Sequence, residues 1–462
     1  MMVNWIEETE KRRDQIIQDT QEFLKIKSVL DEEGGKKGAP FGEGIQQAFE
    51  HLLNKGEQDG FDSKNLDGYA GHLEMGSGDE IVGILCHIDV VPEGDGWSSD
   101  PYGAEIRDGK IFARGALDDK GPTMAAYHAM KLVKDSGVSL NKTVRMIIGT
   151  DEESDWRCVD HYFKHEKMPD IGFAPDADFP IIHAEKGIID AKLRFKTPHS
   201  AEDASMTLTT FSSGRRFNMV PDFAEAELKG ADELEAQFNA WLKKDGVQGS
   251  IKRGSGVTKL QIEGVSAHAM EPNNGKNAGV SLAAFLASIN LDGAGKKFAA
   301  FIKEHFYQDT RGKALRIETN DEVSGDLTVN LGTMQYGEGT GELGVNVRYP
   351  VTCSPEPVRN ALESIDGAEL TLFSDSPSHY VEADHPLIKT LAGVYEEQTG
   401  EKASLISIGG GTYARSLKAG VAFGPLFPGR PDIAHQKDEY IEIEDLIRAT
   451  AIYAQAIYEL AK

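Results

Sequence analysis

An apolar run from Ile81 to Ile88 carries His87 near its end, is followed by Asp89, and then breaks into Val90, Val91, Pro92 and the Gly-rich loop EGDGW. An apolar run closed by Pro and Gly reads as a buried strand that delivers its last side chains to a loop. His and Asp two apart on a strand point to the same face, and a zinc-ligating imidazole commonly has a carboxylate behind it that fixes its tautomer. His87 is therefore a candidate metal ligand and Asp89 its orienting partner. Acidic residues gather at other strand ends of the same region: Asp118, Asp119, Asp151, Glu152, Glu153, Asp176 and Asp178. Singly, each has an ordinary reading. Asp118 or Asp119 could cap a helix, Asp151 to Glu153 could form a solvated turn, and Asp176 and Asp178 could start turns after Pro175. Jointly, carboxylates on one sheet edge raise each other's pKa and destabilise the fold unless cations neutralise them. Two divalent ions would do so, and two His with several carboxylates suit zinc, manganese or cobalt. In the pair Glu152-Glu153, adjacent side chains diverge if the chain is extended. One can then bind metal while the other faces substrate, a ligand beside a general base.

The elements that must position these residues follow from hydrophobic spacing. Residues 5–27 predict an amphipathic helix with Ile16, Ile17, Phe23 and Leu24 on one face. A Gly-rich loop, 31–44, precedes a second helix carrying Ile45, Phe49, Leu52 and Leu53. Strands are expected at about 61–75 and 80–90, and a hairpin at 105–114 around Asp108-Gly109. Ala125, Ala129, Leu132 and Val133 have helical spacing after Gly121-Pro122. The apolar segments 143–150 and 171–180 run straight into acidic residues. Strands alternating with helices, each strand ending in polar residues, describe an α/β sheet with a site along one edge. From about residue 187 the segments become extended and more polar, with helices near 231–244 and 278–290. Helical spacing resumes through Leu387, Leu391, Val394 and Tyr395, and the chain closes on the helix DLIRATAIYAQAIYELA. The expected architecture is a discontinuous α/β catalytic domain, residues 1–186 and 382–462, with a mixed central sheet flanked by helices. An α+β lid domain, 187–381, interrupts it.

The 462 residues can bury a large core. A net charge of −26 argues against nucleic acid and against an anionic membrane surface. Three cysteines, Cys86, Cys158 and Cys353, fit neither a metal motif nor a disulfide framework. The charged N-terminal stretch has no apolar signal region, and no run approaches the roughly 20 apolar residues of a transmembrane helix. A soluble cytoplasmic protein is expected.

The strings CHIDVVPEGDGW, ARGALDDKGPT, GTDEESDW, FAPDADFP, NVRYP, IGGGTYAR and IAHQKDEY, in this order, resemble the PepV-like dipeptidases. These belong to the dinuclear-metal M20 metallopeptidase family, with carnosinases, aminoacylases, glutamate carboxypeptidases and succinyl-diaminopimelate desuccinylases. The resemblance covers nearly the whole chain. It implies that His87 and Asp176 bind the first metal, with Asp89 behind His87. Asp118 would bridge the metals, Glu153 and His435 would bind the second, and Glu152 would be the general base. In the inserted domain it implies that His268 of SAHAM stabilises the oxyanion and that Asn218 and Arg348 contact the substrate carboxylate. Gly409, Gly410 and Gly411 would form a backbone wall of the pocket. One departure is His183-Ala184, where many relatives have Gly or Asn.

An Arg fork suits bidentate binding of a C-terminal carboxylate, and a donor at the scissile carbonyl stabilises developing charge. With the catalytic His in one domain and the metals in the other, the resemblance implies domain closure on substrate. The expected activity is hydrolysis of unblocked dipeptides by water activated between two divalent ions, about 3.5–4 Å apart. Zinc comes first among the metals, with manganese or cobalt as alternatives, and a monomer is expected. The rival readings are an N-acyl amino-acid deacylase or carboxypeptidase of the same family and, from another class, a non-catalytic peptide- or metal-binding protein.

Overall fold

A computed structural model describes residues 3–196, 206–231, 233–254 and 256–462. The chain divides into two compact units, Met1–His183 with Val381–Ile406 and Gly411–Lys462, and Ala184–Tyr380 with Ser407–Gly410.

The first unit is built on a mixed sheet. Its middle is parallel. Ile81–His87 lies between Thr143–Gly149 and Ile171–Ala174, and Gly420–Ala422 extends the parallel set beyond Ile171–Ala174. Ala70–Gly76 and Asp62–Leu66 add antiparallel strands outside Thr143–Gly149. Every residue of Ile81–His87 and of Thr143–Gly149 is buried, as interior parallel strands covered on both faces require. Helices Lys120–Asp135 and Ile443–Ala461 pack on each other and against Ile81–His87. Tyr453 of the second stacks on Phe173 at 5.6 Å.

The predicted first helix is two helices, Trp5–Glu10 and Arg13–Leu24. Lys11 and Arg12 separate them, each N–H turning back to a carbonyl of the first helix. The hairpin at 105–114 pairs Glu105–Arg107 with Lys110–Phe112. Asp108 at φ 48° and Gly109 at φ 74° form the left-handed corner that matches strand twist.

The second unit contains an eight-stranded antiparallel sheet. Its order is Gln248–Gly254, Val257–Glu263, Phe223–Lys229, Thr207–Ser213, Thr328–Gly337, Thr340–Tyr349, Gly187–Lys196 and Glu369–Ser376. Burial alternates along Phe223–Lys229 and Val257–Glu263, so one face carries the core. Helices Ala278–Leu286 and Gly293–Phe306 pack on each other and on Thr207–Ser213, closing that core around Phe211, Phe285 and Phe298. Gly293–Phe306 has no counterpart among the predicted helices. Its GAG opening hides a helix whose start depends on Asp292, which accepts the Gly295 N–H at 3.2 Å.

Candidate metal centre and active site

The carboxyl ends of three neighbouring parallel strands supply His87, the Asp151–Glu153 turn and Asp176 to one region of the first unit. Open α/β sheets gather ligands beyond the carboxyl ends of their strands. Asp118 arrives from the loop before helix Lys120–Asp135, through a cis peptide bond to Asp119. His435 arrives from the loop before Tyr440–Glu442.

Asp118 stands between two imidazoles. Its Oδ1 lies 3.0 Å from His87 Nε2 and its Oδ2 lies 2.9 Å from His435 Nε2. Asp176 Oδ1 is 3.6 Å from His87 Nε2, and Glu153 Oε1 is 3.0 Å from His435 Nε2. The result is two groups that share Asp118: His87, Asp118 and Asp176, and Asp118, Glu153 and His435. Within each, one donor atom per residue lies within 4.8 Å of the others. Ligand atoms tetrahedrally disposed about a cation, at bonds of about 2.0–2.1 Å, stand roughly 3.3 Å apart. The imidazole–carboxylate separations bracket that figure. One imidazole and two carboxylates per group suit zinc, manganese or cobalt, so these residues fit a pair of divalent cations.

The electrostatics point the same way. Burial, reinforced by the Asp118 charge, pushes Glu153 up to about 7 and Asp176 up to about 6. Burial raises Glu152 well above the usual carboxylate range against the opposing pull of His87. Burial also works against the Asp118 charge, but hydrogen bonds from His435 and His87 outweigh it and hold Asp118 low. Hydrogen bonds to Asp118 and Glu153 push His435 up to about 11. Carboxyls whose pKa values are raised beside an imidazole whose pKa is also raised describe a place with more negative than positive charge, which bound cations would relieve.

Neighbouring side chains fix the donors. His87 Nδ1 lies 3.0 Å from the Asp89 carbonyl and 3.5 Å from Asp89 Oδ1. The Asp89 carboxylate reaches further, accepting the Glu152 and Glu153 N–H groups at 3.1 and 3.0 Å. Asp119 occupies the N-cap position of helix Lys120–Asp135 without capping it. It accepts instead from the His87 N–H and the Thr123 hydroxyl, both at 3.1 Å. The Tyr413 ring stands edge-on to His87 at 5.9 Å. Asp151 is not a donor to either group: its carboxylate holds the Arg157 guanidinium at 2.8 and 2.9 Å.

Sequence reasoning missed Arg114 and Glu439, a fully buried ion pair beneath these loops. The signal was an Arg before LDDKG and a Glu four residues after His435, both readable as surface charges.

In the second unit, Asn218 and His268 lie on a short antiparallel ladder. The Ala269 N–H donates to the Asn218 carbonyl at 2.9 Å, and Met219 pairs with His268. His268 Nδ1 accepts the Met270 N–H at 3.2 Å, so in the neutral ring the hydrogen sits on Nε2. Burial, with Arg348 nearby, lowers His268 to about 4. Arg348 is buried, donating from Nε to Asn346 and from Nη1 to the Gly409 carbonyl, both at 2.8 Å. A Cβ on Gly409 would meet Met270 Cβ at 2.7 Å. Gly410 belongs to this unit and Gly411 to the first.

Fold and site thus define an α/β protein whose parallel strand ends bring together two imidazole–carboxylate groups, sharing Asp118, that could hold cations. The chain belongs to peptidase family M20/M25/M40, whose profile matches residues 83–459. It is 59% identical, over 463 residues and the whole of both chains, to "Putative dipeptidase YtjP" of Bacillus subtilis (strain 168). It is 42% identical over 465 residues, 99% of each chain, to "Putative dipeptidase" of Staphylococcus epidermidis (strain ATCC 12228 / FDA PCI 1200). Solved structures share the fold. Human carnosine dipeptidase 1 matches at TM-score 0.56 and 15% identity, over 99% of this chain and 98% of that one. Aminoacylhistidine dipeptidase from Vibrio alginolyticus matches at TM-score 0.57 and 15% identity, over 97% and 96%.

Proposed function

We propose that the chain is a metal-dependent dipeptidase that hydrolyses unblocked dipeptides with a free C-terminal carboxylate. The observation that carries this reading is Asp118 presenting one oxygen to each of two imidazoles, with Glu152 held beside the groups it joins. His87, Asp118 and Asp176 would hold one divalent cation and Asp118, Glu153 and His435 the other. Zinc is the first choice, with manganese or cobalt as alternatives. When bound, the cations supply Lewis-acid activation of water and of the scissile carbonyl. Glu152 belongs to neither group. Its carboxylate takes the proton of the attacking water and returns it to the leaving amine. Burial raises its proton affinity, the direction a general base needs. His268 donates from Nε2 to the developing oxyanion, while Asn218 and Arg348 bind the substrate carboxylate. Gly409 to Gly411 contribute backbone to the pocket wall.

Three free cysteines support a reducing, cytoplasmic location. Among the described residues no helix is long and apolar enough to cross a membrane. The proposed working state is a monomer, with residues 187–381 as lid and residues 1–186 and 382–462 as catalytic domain. The test is amino-acid release by metal-replete protein from a panel of Xaa-Xaa dipeptides and N-acetyl amino acids. Turnover of the dipeptides is expected. Preference for the acetylated series would replace the reading with a deacylase, and release from neither would remove it.

A further inference from the structure

Arg114 follows strand Lys110–Phe112, and its guanidinium is buried with Trp97 5.3 Å away. Nη2 donates to the carbonyls of Pro92, Glu93 and His435 at 3.4, 3.3 and 3.3 Å. Nη1 donates to the Gln436 carbonyl at 3.3 Å and to the Glu439 carboxylate. Glu439 is completely buried. Its Oε1 accepts the Leu117 and Asp118 N–H groups at 2.8 and 3.2 Å. One buried ion pair therefore ties together three loops: the one leaving His87, the one carrying Asp118 and the one carrying His435.

The His435 loop needs that support. His435 has φ 63° and Asp438 φ 56°, left-handed conformations that persist in non-glycine residues only where the surroundings over-determine them. Bonds from Arg114 to the carbonyls of His435 and Gln436 supply the determination. The chemistry calls for arginine. A planar fork of five N–H donors reaches several carbonyls and a carboxylate at once, whereas lysine has three donors around one nitrogen.

We infer that the Arg114–Glu439 ion pair is a positioning pair that sets the backbone of Asp118 and His435 for a shared cation. Binding at the Asp118–Glu153–His435 group then depends on the pair more than binding at His87–Asp118–Asp176, where strand ends already hold His87 and Asp176. The inference rests on the two-cation reading proposed above.

The test is calorimetric titration of chelator-stripped full chain with zinc ions, for the wild type, Arg114→Lys and Glu439→Gln, with circular dichroism and thermal melting of each apo form alongside. Two binding events are expected in the wild type. In Arg114→Lys one event weakens about 10–100-fold and the other holds, with the apo form still folded by circular dichroism and still melting cooperatively. Glu439→Gln, which keeps an acceptor for both amides, weakens the same event less. A wild type that takes up fewer than two ions would overturn the two-cation reading and this inference with it. Two wild-type events with no loss in Arg114→Lys, or with equal loss in both, would overturn this inference alone. If Arg114→Lys does not fold, selective weakening in Glu439→Gln decides. If neither folds, the pair is a folding element and the inference fails.

Discussion

The Asp89 carboxylate spans the amides of the two glutamates, Oδ1 accepting the Glu152 N–H at 3.1 Å and Oδ2 the Glu153 N–H at 3.0 Å. Asp89 thereby fixes the backbone of the proposed base and of its neighbour at once. Asparagine has the same shape but only one oxygen, so Asp89→Asn leaves one buried N–H facing an NH2 group. An unsatisfied buried donor costs about 1–3 kcal/mol. The expected result, at saturating zinc where both ions stay bound, is a kcat lower by about 10–100-fold. Initial rates and elemental analysis of the same preparation check it. Unchanged kcat would mean that the glutamate turn is held by other contacts.

Glu152 stands outside both cation groups, so its loss separates proton transfer from metal binding. Glu152→Ala should lower kcat by about 10²–10⁴-fold, the usual contribution of a general base, while zinc titrations match the wild type. Turnover persisting at the wild-type rate would reject Glu152 as the base even with the rest of the centre intact.

Asp118 is shared by the two groups, whereas His87 and His435 each belong to one. Removing them should therefore differ in kind. His87→Ala and His435→Ala should each retain one tightly bound ion per chain. Asp118→Ala should retain neither at micromolar free zinc, and all three should release little product from dipeptides. Equilibrium dialysis with metal analysis gives the counts. A second ion held by Asp118→Ala would show that the bridge is dispensable.

The strand-end chemistry was legible because a seven-residue buried strand has few sequence solutions. Ile81–His87 must be continuously apolar, so a His at its end, followed by Asp89 and a Pro/Gly break, stands out. The same rule exposed Asp151–Glu153 and Asp176. His435 has no such frame. It sits in a polar loop between short strands, and only the family resemblance singled it out. The Arg114–Glu439 pair was invisible for another reason. Its partners lie 325 residues apart, and nothing local distinguishes a buried charge from a solvated one. Helix Gly293–Phe306 was lost because its glycine-rich first turn contradicts helix propensity. Its capping Asp292 and its packing on Ala278–Leu286 override that propensity.

His72, in strand Ala70–Gly76, is buried beside Tyr162, its Nδ1 2.7 Å from the hydroxyl. Burial, helped by Arg145, lowers it to about 4 from 6.5. The fold therefore favours the neutral ring. The stabilisation is complete above about pH 6.5 and is lost as pH falls toward 4. Between pH 7 and pH 5 the wild type should lose about 2 kcal/mol more than His72→Gln. Urea unfolding of the two chelator-treated proteins checks this, because titration of the cation site is common to both. Parallel pH dependence would place the His72 pKa near its ordinary value.

His268 offers a sharper separation of roles. With Nδ1 occupied by the Met270 N–H and the ring pKa lowered to about 4 by burial and Arg348, the imidazole is neutral from pH 5 upward, with its hydrogen on Nε2. A neutral donor stabilises an oxyanion without adding a titration of its own. His268→Ala should therefore reduce kcat by about 10²–10³-fold with a much smaller change in KM, because the bond strengthens as negative charge develops. Any acid limb of the wild-type kcat profile between pH 5 and 8 should persist in the variant, since that limb belongs to other groups. Steady-state kinetics across that range decide the matter. A limb near 6.5 that disappears with His268 would instead assign the residue a proton-transfer role and overturn the oxyanion assignment.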